Sequence, residues 1–155
     1  MASENYLGNP NLKNVGQVIE WTEESLTEYM QCKEDPQYFI KNFVKIIHVD
    51  RGLVPFEMYD YQEDMIRKFN DNRFVICKMP RQTGKSTTII AFLLHYVLFN
   101  ESVNVAILAN KGAVARELLS RLQLAYENLP KWLQQGAVVW NKGNIEVENG
   151  SKVIA

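Results

Sequence analysis

A chain of 155 residues has room for one ordinary domain and at most a small appended subdomain. Its composition, 46% hydrophobic and 23% charged, is globular and excludes a disordered or fibrous chain. Seventeen basic residues against eighteen acidic ones leave a net charge of -1, which is no electrostatic footprint for nucleic acid. Contact with DNA would need a local patch or another part of a larger protein, or else this segment does not touch DNA. Cys32 and Cys77 lack metal-ligand spacing; Cys77 sits in an apolar run and is expected to be a buried free thiol, which points to a reducing, intracellular setting. The polar start, Met1-Ala2-Ser3-Glu4-Asn5, lacks the basic and apolar regions of a signal peptide. No apolar run approaches the roughly 20 residues of a membrane span, so a soluble chain is expected.

Residues 1–20 carry Asn9-Pro10-Asn11, Asn14 and two glycines without periodicity, an arm either mobile or laid over the surface. A first helix starts at Thr22, with Glu23 and Glu24 in its first turn, and runs to about Cys32. Asp35-Pro36 supplies a cap and a first-turn proline for a second, whose apolar face takes in Tyr38, Phe39, Phe43, Ile46 and Ile47. Residues 21–55 thus read as a small helical subdomain beside a core of residues 56–155. Arg51-Gly52 and Pro55 break the pattern. A third helix covers Tyr59 to Asn70, with Tyr61, Met65, Ile66 and Phe69 on one side.

From Arg73 the period changes. Phe74-Val75-Ile76-Cys77 suits a buried parallel strand. Lys85 to Phe99 is helical and apolar on most sides, so it needs covering on more than one face. Val103 to Leu108 reads as a second buried strand, and Lys111 to Asn128 as a helix with Val114, Leu118, Leu122 and Ala125 on one stripe. Strand, helix, strand, helix is the pattern of an α/β fold built on a parallel sheet with right-handed crossovers. After Pro130 come short strands at 138–140, 145–147 and 152–154, with turns at Asn141-Lys142-Gly143-Asn144 and Asn149-Gly150.

Met79-Pro80-Arg81-Gln82-Thr83-Gly84-Lys85-Ser86-Thr87 joins the first strand to the apolar helix. A P-loop needs a glycine where the backbone turns under the phosphates, a lysine reaching the β- and γ-phosphates, and a hydroxyl on Mg²⁺. Gly84, Lys85 and Ser86 fit those roles, and the helix start adds amides and a positive dipole end. Met79 stands where the usual first glycine would be, so the loop is a deviant version. Gly-Lys-Ser or Gly-Lys-Thr alone arises by chance in roughly one chain in ten of this length, so the strand-before, helix-after context carries the assignment. Arg81 could pair with γ-phosphate oxygens as an arginine finger in cis. It could equally be a surface arginine or one paired to a carboxylate.

Tyr59-Asp60-Tyr61-Gln62 begins the third helix about twenty residues upstream of the loop. A glutamine amide can bond both the amino group and N7 of adenine, and a neighbouring tyrosine could stack on the base. A Tyr-Gln pair on an amphipathic helix is otherwise packing plus solvent; the P-loop downstream favours the nucleotide reading.

Together these elements resemble the large terminase subunit of T-even-type tailed phages, the motor that packages DNA into proheads. The likeness spans residues 20–155. It rests on Asp60-Tyr61-Gln62, on Arg81-Gln82-Thr83-Gly84-Lys85-Ser86-Thr87, on Ile107-Leu108-Ala109-Asn110-Lys111-Gly112, and on Leu129-Pro130, Trp140-Asn141-Lys142-Gly143 and Glu148-Asn149-Gly150-Ser151. The resemblance implies a P-loop ATPase fold of the additional-strand type with ATP and Mg²⁺ as cofactors. Tyr61, Gln62, Gln82, Thr83, Gly84, Lys85, Ser86 and Thr87 would hold the nucleotide, with Gln62 at the adenine and Ser86 on Mg²⁺. Lys85 and Arg81 would act in catalysis, Arg81 as a γ-phosphate sensor. It also implies double-stranded DNA, a portal protein and a small terminase subunit as partners, an oligomeric ring and the host cytoplasm as location.

Two departures stand out. Tyr59 occupies a position where the family carries a basic residue. No apolar run after Ser86 ends in an acid that could hold Mg²⁺, and Glu146 and Glu148 alternate along a hairpin as a solvated face would. The chain reads as the first part of such a motor, without turnover of its own. A helicase-like translocase shares the glutamine and P-loop elements, and a nucleotide-binding module without turnover is the third reading.

Overall fold

The computed structural model describes residues 5–48 and 50–155. The fold is mixed α/β, with five α-helices and two small sheets. In chain order these are α1 (Glu23–Glu34), α2 (Pro36–Phe43), β1 (Lys45–His48), β2 (Gly52–Pro55), α3 (Asp60–Asp71) and α4 (Lys85–Phe99). There follow β3 (Asn104–Ala106), α5 (Gly112–Glu127), β4 (Ala137–Trp140), β5 (Asn144–Val147) and β6 (Lys152–Ile154).

The first two helices start where their caps dictate. The Thr22 hydroxyl accepts the Ser25 N–H at 3.1 Å, and the Asp35 carboxylate accepts the Gln37 N–H at 2.8 Å ahead of Pro36. α2 stops at Phe43, short of the expected face, because Ile46 and Ile47 leave the helix for β1. There they pair antiparallel with Val54 and Leu53, and Arg51 lies in the turn of that hairpin with Gly52 opening β2, so Arg51-Gly52 is not a break between helices. Residues 21–55 therefore hold two helices and a hairpin. β-branched residues gain a pleated surface that the last turn of a short helix cannot offer.

α4 is the hub. α2, α3 and α5 all pack against it, which supplies the covering on several faces that its apolar circumference requires. Ile90, Ala91, Leu94, Val97 and Leu98 are buried there. On α5 the buried stripe is Ala115, Leu119, Leu122, Ala125 and Tyr126; Leu122 and Ala125 are buried as expected, while in the first two turns Ala115 and Leu119 take the places expected of Val114 and Leu118.

His95 ties α4 to α1. Its Nε2 donates to the Cys32 carbonyl at 2.8 Å, near the end of α1, and its ring lies 4.8 Å from that of Phe99 and 5.5 Å from that of Phe39. Burial holds its pKa below the ordinary 6.5. The unfolded chain therefore protonates first, so this contribution to stability is complete above pH 6.5 and falls as the pH drops through 6.5 toward the lower folded value. Denaturant unfolding at stepwise lower pH should show a loss no steeper than about 1.4 kcal/mol per pH unit, absent in His95→Gln. Equal slopes in the two proteins would contradict it. Cys32, not Cys77, is the fully buried thiol; burial, with Glu28 and Asp35 nearby, pushes its pKa up to about 12, so it is inert.

The larger sheet runs β3-β6-β5-β4. Among its strands β3 and β6 pair in parallel, while β6, β5 and β4 form an antiparallel meander. Residues 74–79 show strand alternation, with Val75, Cys77 and Met79 half-buried and Phe74, Ile76 and Lys78 exposed, yet they pair with no strand among the described residues. Ile76 is 96% exposed and Leu108, just past β3, is 91% exposed. An apolar run with unpaired backbone groups invites association. Ile76→Lys should lower self-association several-fold in light scattering at rising concentration; unchanged scattering would clear this surface.

The arm is laid down over its residues 5–20, with residues 1–4 outside the described part. Leu12 is buried, Asn5 bridges Lys13, and Asn14 bridges Ala137. Glu148 is exposed, as a solvated face residue would be, and its carboxylate also accepts the Gly16 N–H at 2.9 Å and the Gly136 N–H at 3.1 Å. Glu146 pairs across the sheet with Lys152 at 3.2 Å. No helix among the described residues is long and apolar enough to cross a membrane.

Candidate phosphate-binding site

The segment from Pro80 to Gly84 reverses the chain and delivers it into α4. Gln82 and Gly84 both adopt left-handed backbone, with φ of 64° and 71°. Left-handed backbone at a residue with a side chain costs of order 1 kcal/mol, so Gln82 stores strain in this loop. Gly84 is required on two counts. Its φ suits glycine, and a Cβ there would fall 2.5 Å from Nε2 of Gln62.

α4 starts without help from a side chain. It has no side-chain N-cap and no acid in its first turn, unlike α1, which has both. Its first bond runs from the Thr88 N–H to the Gly84 carbonyl at 3.0 Å. The amides of Gly84, Lys85, Ser86 and Thr87 meet no acceptor among the described residues. Four unpaired donors and the positive end of a fifteen-residue helix converge at one place.

Lys85 bends over this opening, its Nζ donating to the Pro80 carbonyl at 3.0 Å, which also takes the Thr83 hydroxyl at 3.1 Å. A carbonyl is a weak partner for an ammonium, and an anion at the opening would outbid it. The Ser86 hydroxyl makes no hydrogen bond among the described residues, and Arg81 is exposed there without an ion pair. The nearest helix holds its cations differently: hydrogen bonds from Lys68 and then Arg67 hold the Asp64 carboxyl below the usual carboxylate range. Thr87 lines a separate, apolar cavity of about 400 Å³ with Val44, Ile46, Ile90, Ala91 and Leu124, behind the loop.

α3 supports the loop from beside it. Tyr61 Oη donates to the Thr83 carbonyl at 2.9 Å, and Gln62 Nε2 approaches the same oxygen at 3.4 Å. Gln62 Oε1 accepts the Tyr59 N–H at 3.0 Å and the side chain is 3% exposed. The structure therefore brings Tyr61, Gln62, Thr83, Gly84 and Lys85 together, leaves Arg81 and Gln82 exposed at the rim, and turns Thr87 toward the cavity. Sequence reasoning missed two features: the Pro80 carbonyl that holds Lys85 and Thr83, and the stacking of Tyr59 on Tyr61. Two tyrosines two positions apart were the signal for the second.

Residues 76–155, just over half of the chain, match the family model described as terminase large subunit, T4likevirus-type, N-terminal. The chain belongs to that family. The matched span opens four residues before Pro80 and so contains the whole loop and α4, together with the larger sheet. The Tyr59–Gln62 element lies outside the match and joins the site through its hydrogen bonds to Thr83 and the approach of Gln62 to Gly84.

Four free amides, a lysine and the free Ser86 hydroxyl are donors that fit an anion such as a phosphate group. No group of three or more His, Cys, Asp or Glu side chains that could hold a metal gathers among the described residues.

Proposed function

We propose that this chain is the nucleotide-binding part of a DNA-packaging terminase motor, a P-loop ATPase core over residues 56–155 that binds ATP with Mg²⁺ at Pro80–Thr87. The observation that carries the reading is the unpaired amide set of Gly84–Thr87 at an uncapped helix start, with Lys85 folded over it. In this reading the amides and Lys85 hold the phosphates, Ser86 meets Mg²⁺, and Arg81 reaches the γ-phosphate. Gln82 and Thr83 shape the loop, Thr87 continues the helix start, and Tyr61 and Gln62 brace the loop from α3. Mg²⁺ supplies neutralisation of charge between the phosphates when bound.

Membership of the terminase family supports the wider role. In the whole motor, ATP hydrolysis would drive double-stranded DNA into a prohead, within a ring that engages a portal protein and a small terminase subunit in the host cytoplasm. The net charge of -1 fits a segment whose own task is the nucleotide. A binding module without turnover is the second reading, favoured by the lack of an acid cluster among the described residues.

Calorimetric titration with ATP and Mg²⁺ tests the proposal. One saturable site per chain is the expected result, and no heat of binding up to millimolar ATP would overturn it. A steady-state phosphate-release assay on the same sample separates motor from module: Mg²⁺-dependent turnover would sink the module reading.

A further inference from the structure

The apolar cavity behind the phosphate loop exceeds what close packing leaves. Its volume is about 400 Å³, whereas protein interiors close around voids little larger than a water molecule. Small-molecule sites run from roughly 300 to 1,000 Å³. Two alanines make the room. Ala91 of α4 and Ala125 of α5 are both buried and both line it, on helices that pack against one another. β1 closes a third side through Val44 and Ile46. Of residues 80–87, Thr87 borders the cavity, so this space is separate from the opening at the unpaired amides.

The lining is graded from apolar to cationic. Val44, Ile90, Ala91 and Ala125 are buried at the inner end, while Lys45, Ile47 and Arg121 are exposed at the mouth. Ile47 is 67% exposed and forms an apolar lip. The other two mouth residues are cations, and no acid lines the cavity among the described residues. Lys45 makes no ion pair there. Arg121 reaches Glu117 at 2.6 Å, one helical turn back, with both side chains about half exposed. Surface pairs of that kind hold their partners weakly, and a guanidinium has donors left for a second acceptor.

We propose that this cavity binds a small apolar anion, an acyl or aryl carboxylate, with its tail between Ala91 and Ala125 and its head group between Lys45 and Arg121. The tail leaves water and restores the dispersion contacts that the walls of an empty space lack. The head stays at the mouth, where it takes charge-assisted hydrogen bonds without being buried. A neutral apolar molecule satisfies the inner end alone, and an apolar cation meets two like charges.

The test is calorimetric titration of the whole chain with decanoate, decanol and decyltrimethylammonium, each below the concentration at which it aggregates. Decanoate should bind at one saturable site per chain, roughly tenfold more tightly than decanol, with decyltrimethylammonium weakest. Ala125→Leu, which fills the inner end, should weaken decanoate by about tenfold or more. Arg121→Gln and Lys45→Gln, at exposed positions that leave the fold intact, should each weaken it by roughly threefold to tenfold and leave decanol unchanged. Ile76→Lys, on the exposed apolar run elsewhere, should change nothing. No saturable decanoate binding up to millimolar concentration would overturn the proposal. So would affinity that is unchanged in a folded Ala125→Leu, or lost in Ile76→Lys. Equal affinity for decanoate and decanol, unaltered by Arg121→Gln and Lys45→Gln, would overturn the anionic class; if Ala125→Leu does not fold, these two surface variants decide.

Discussion

Lys85→Ala is expected to weaken ATP binding by roughly tenfold to a hundredfold, the equivalent of losing a hydrogen bond to a charged group at about 1.5–3 kcal/mol. The fold should barely notice. Lys85 is only half-buried, and its ammonium touches one backbone carbonyl, that of Pro80. Substitutions of that kind stay within about 0.5 kcal/mol, so the melting temperature should move by roughly 2 °C or less. Binding and melting thus separate in one variant. A drop of many degrees would show that the lysine holds the loop together instead of waiting for phosphate.

The largest effect on stability is expected from Gln134→Ala. Gln134 is buried, and its amide is the knot between the arm, α5 and the segment that follows it. Oε1 accepts the Lys13 N–H at 3.0 Å, while Nε2 faces the carbonyls of Asn11, Leu129 and Tyr126 at 3.0, 3.0 and 3.2 Å. Two hydrogens serve three oxygens, so one bond is shared. Alanine would leave the Lys13 N–H and the carbonyls of Asn11 and Leu129 without a partner among the described residues; Tyr126 keeps the Leu129 N–H. The Leu129 carbonyl sits in a buried bond and the Lys13 N–H and Asn11 carbonyl in part-buried ones; at about 1–3 kcal/mol for a buried group and less for the other two, a total of about 3 kcal/mol follows, near 10 °C in melting temperature. Thermal unfolding measures the total, and limited proteolysis should find the arm cut first. A shift under about 2 °C would mean that water replaces the amide without loss.

Where a local interaction decides, the sequence was readable. Thr22 and Asp35-Pro36 set two helix starts through bonds that reach no further than three residues, and α4 covers the Lys85–Phe99 span that its apolar run predicts. The glycine and lysine of the loop could be placed for the same reason. What escaped depends on distant partners. Ile46 and Ile47 fit a helical face as well as a strand until Leu53 and Val54 are known to lie opposite. On α5, Leu122 and Ala125 are buried as expected, but Leu119 is buried in place of Leu118 because leucines occupy both candidate faces there and α4 decides which is covered. Phe74–Cys77 has the composition of a central strand, but the neighbour that makes a strand central is not among the described residues. Glu148 faces solvent as its alternation predicts, but nothing local to it reveals that Gly16 and Gly136 arrive beside its carboxylate. At the site itself, residue types were legible and orientations were not: nothing local to Gln62 reveals that Thr83 and Gly84 arrive against its buried amide.

The most direct measurement is nuclear magnetic resonance of the backbone amides of Gly84, Lys85, Ser86 and Thr87 during titration with ATP and Mg²⁺. The account predicts that these four move together and saturate with the binding curve, because phosphate oxygens take the place of solvent on unpaired donors. Resonances that stay fixed at these positions while ATP binds elsewhere would contradict it.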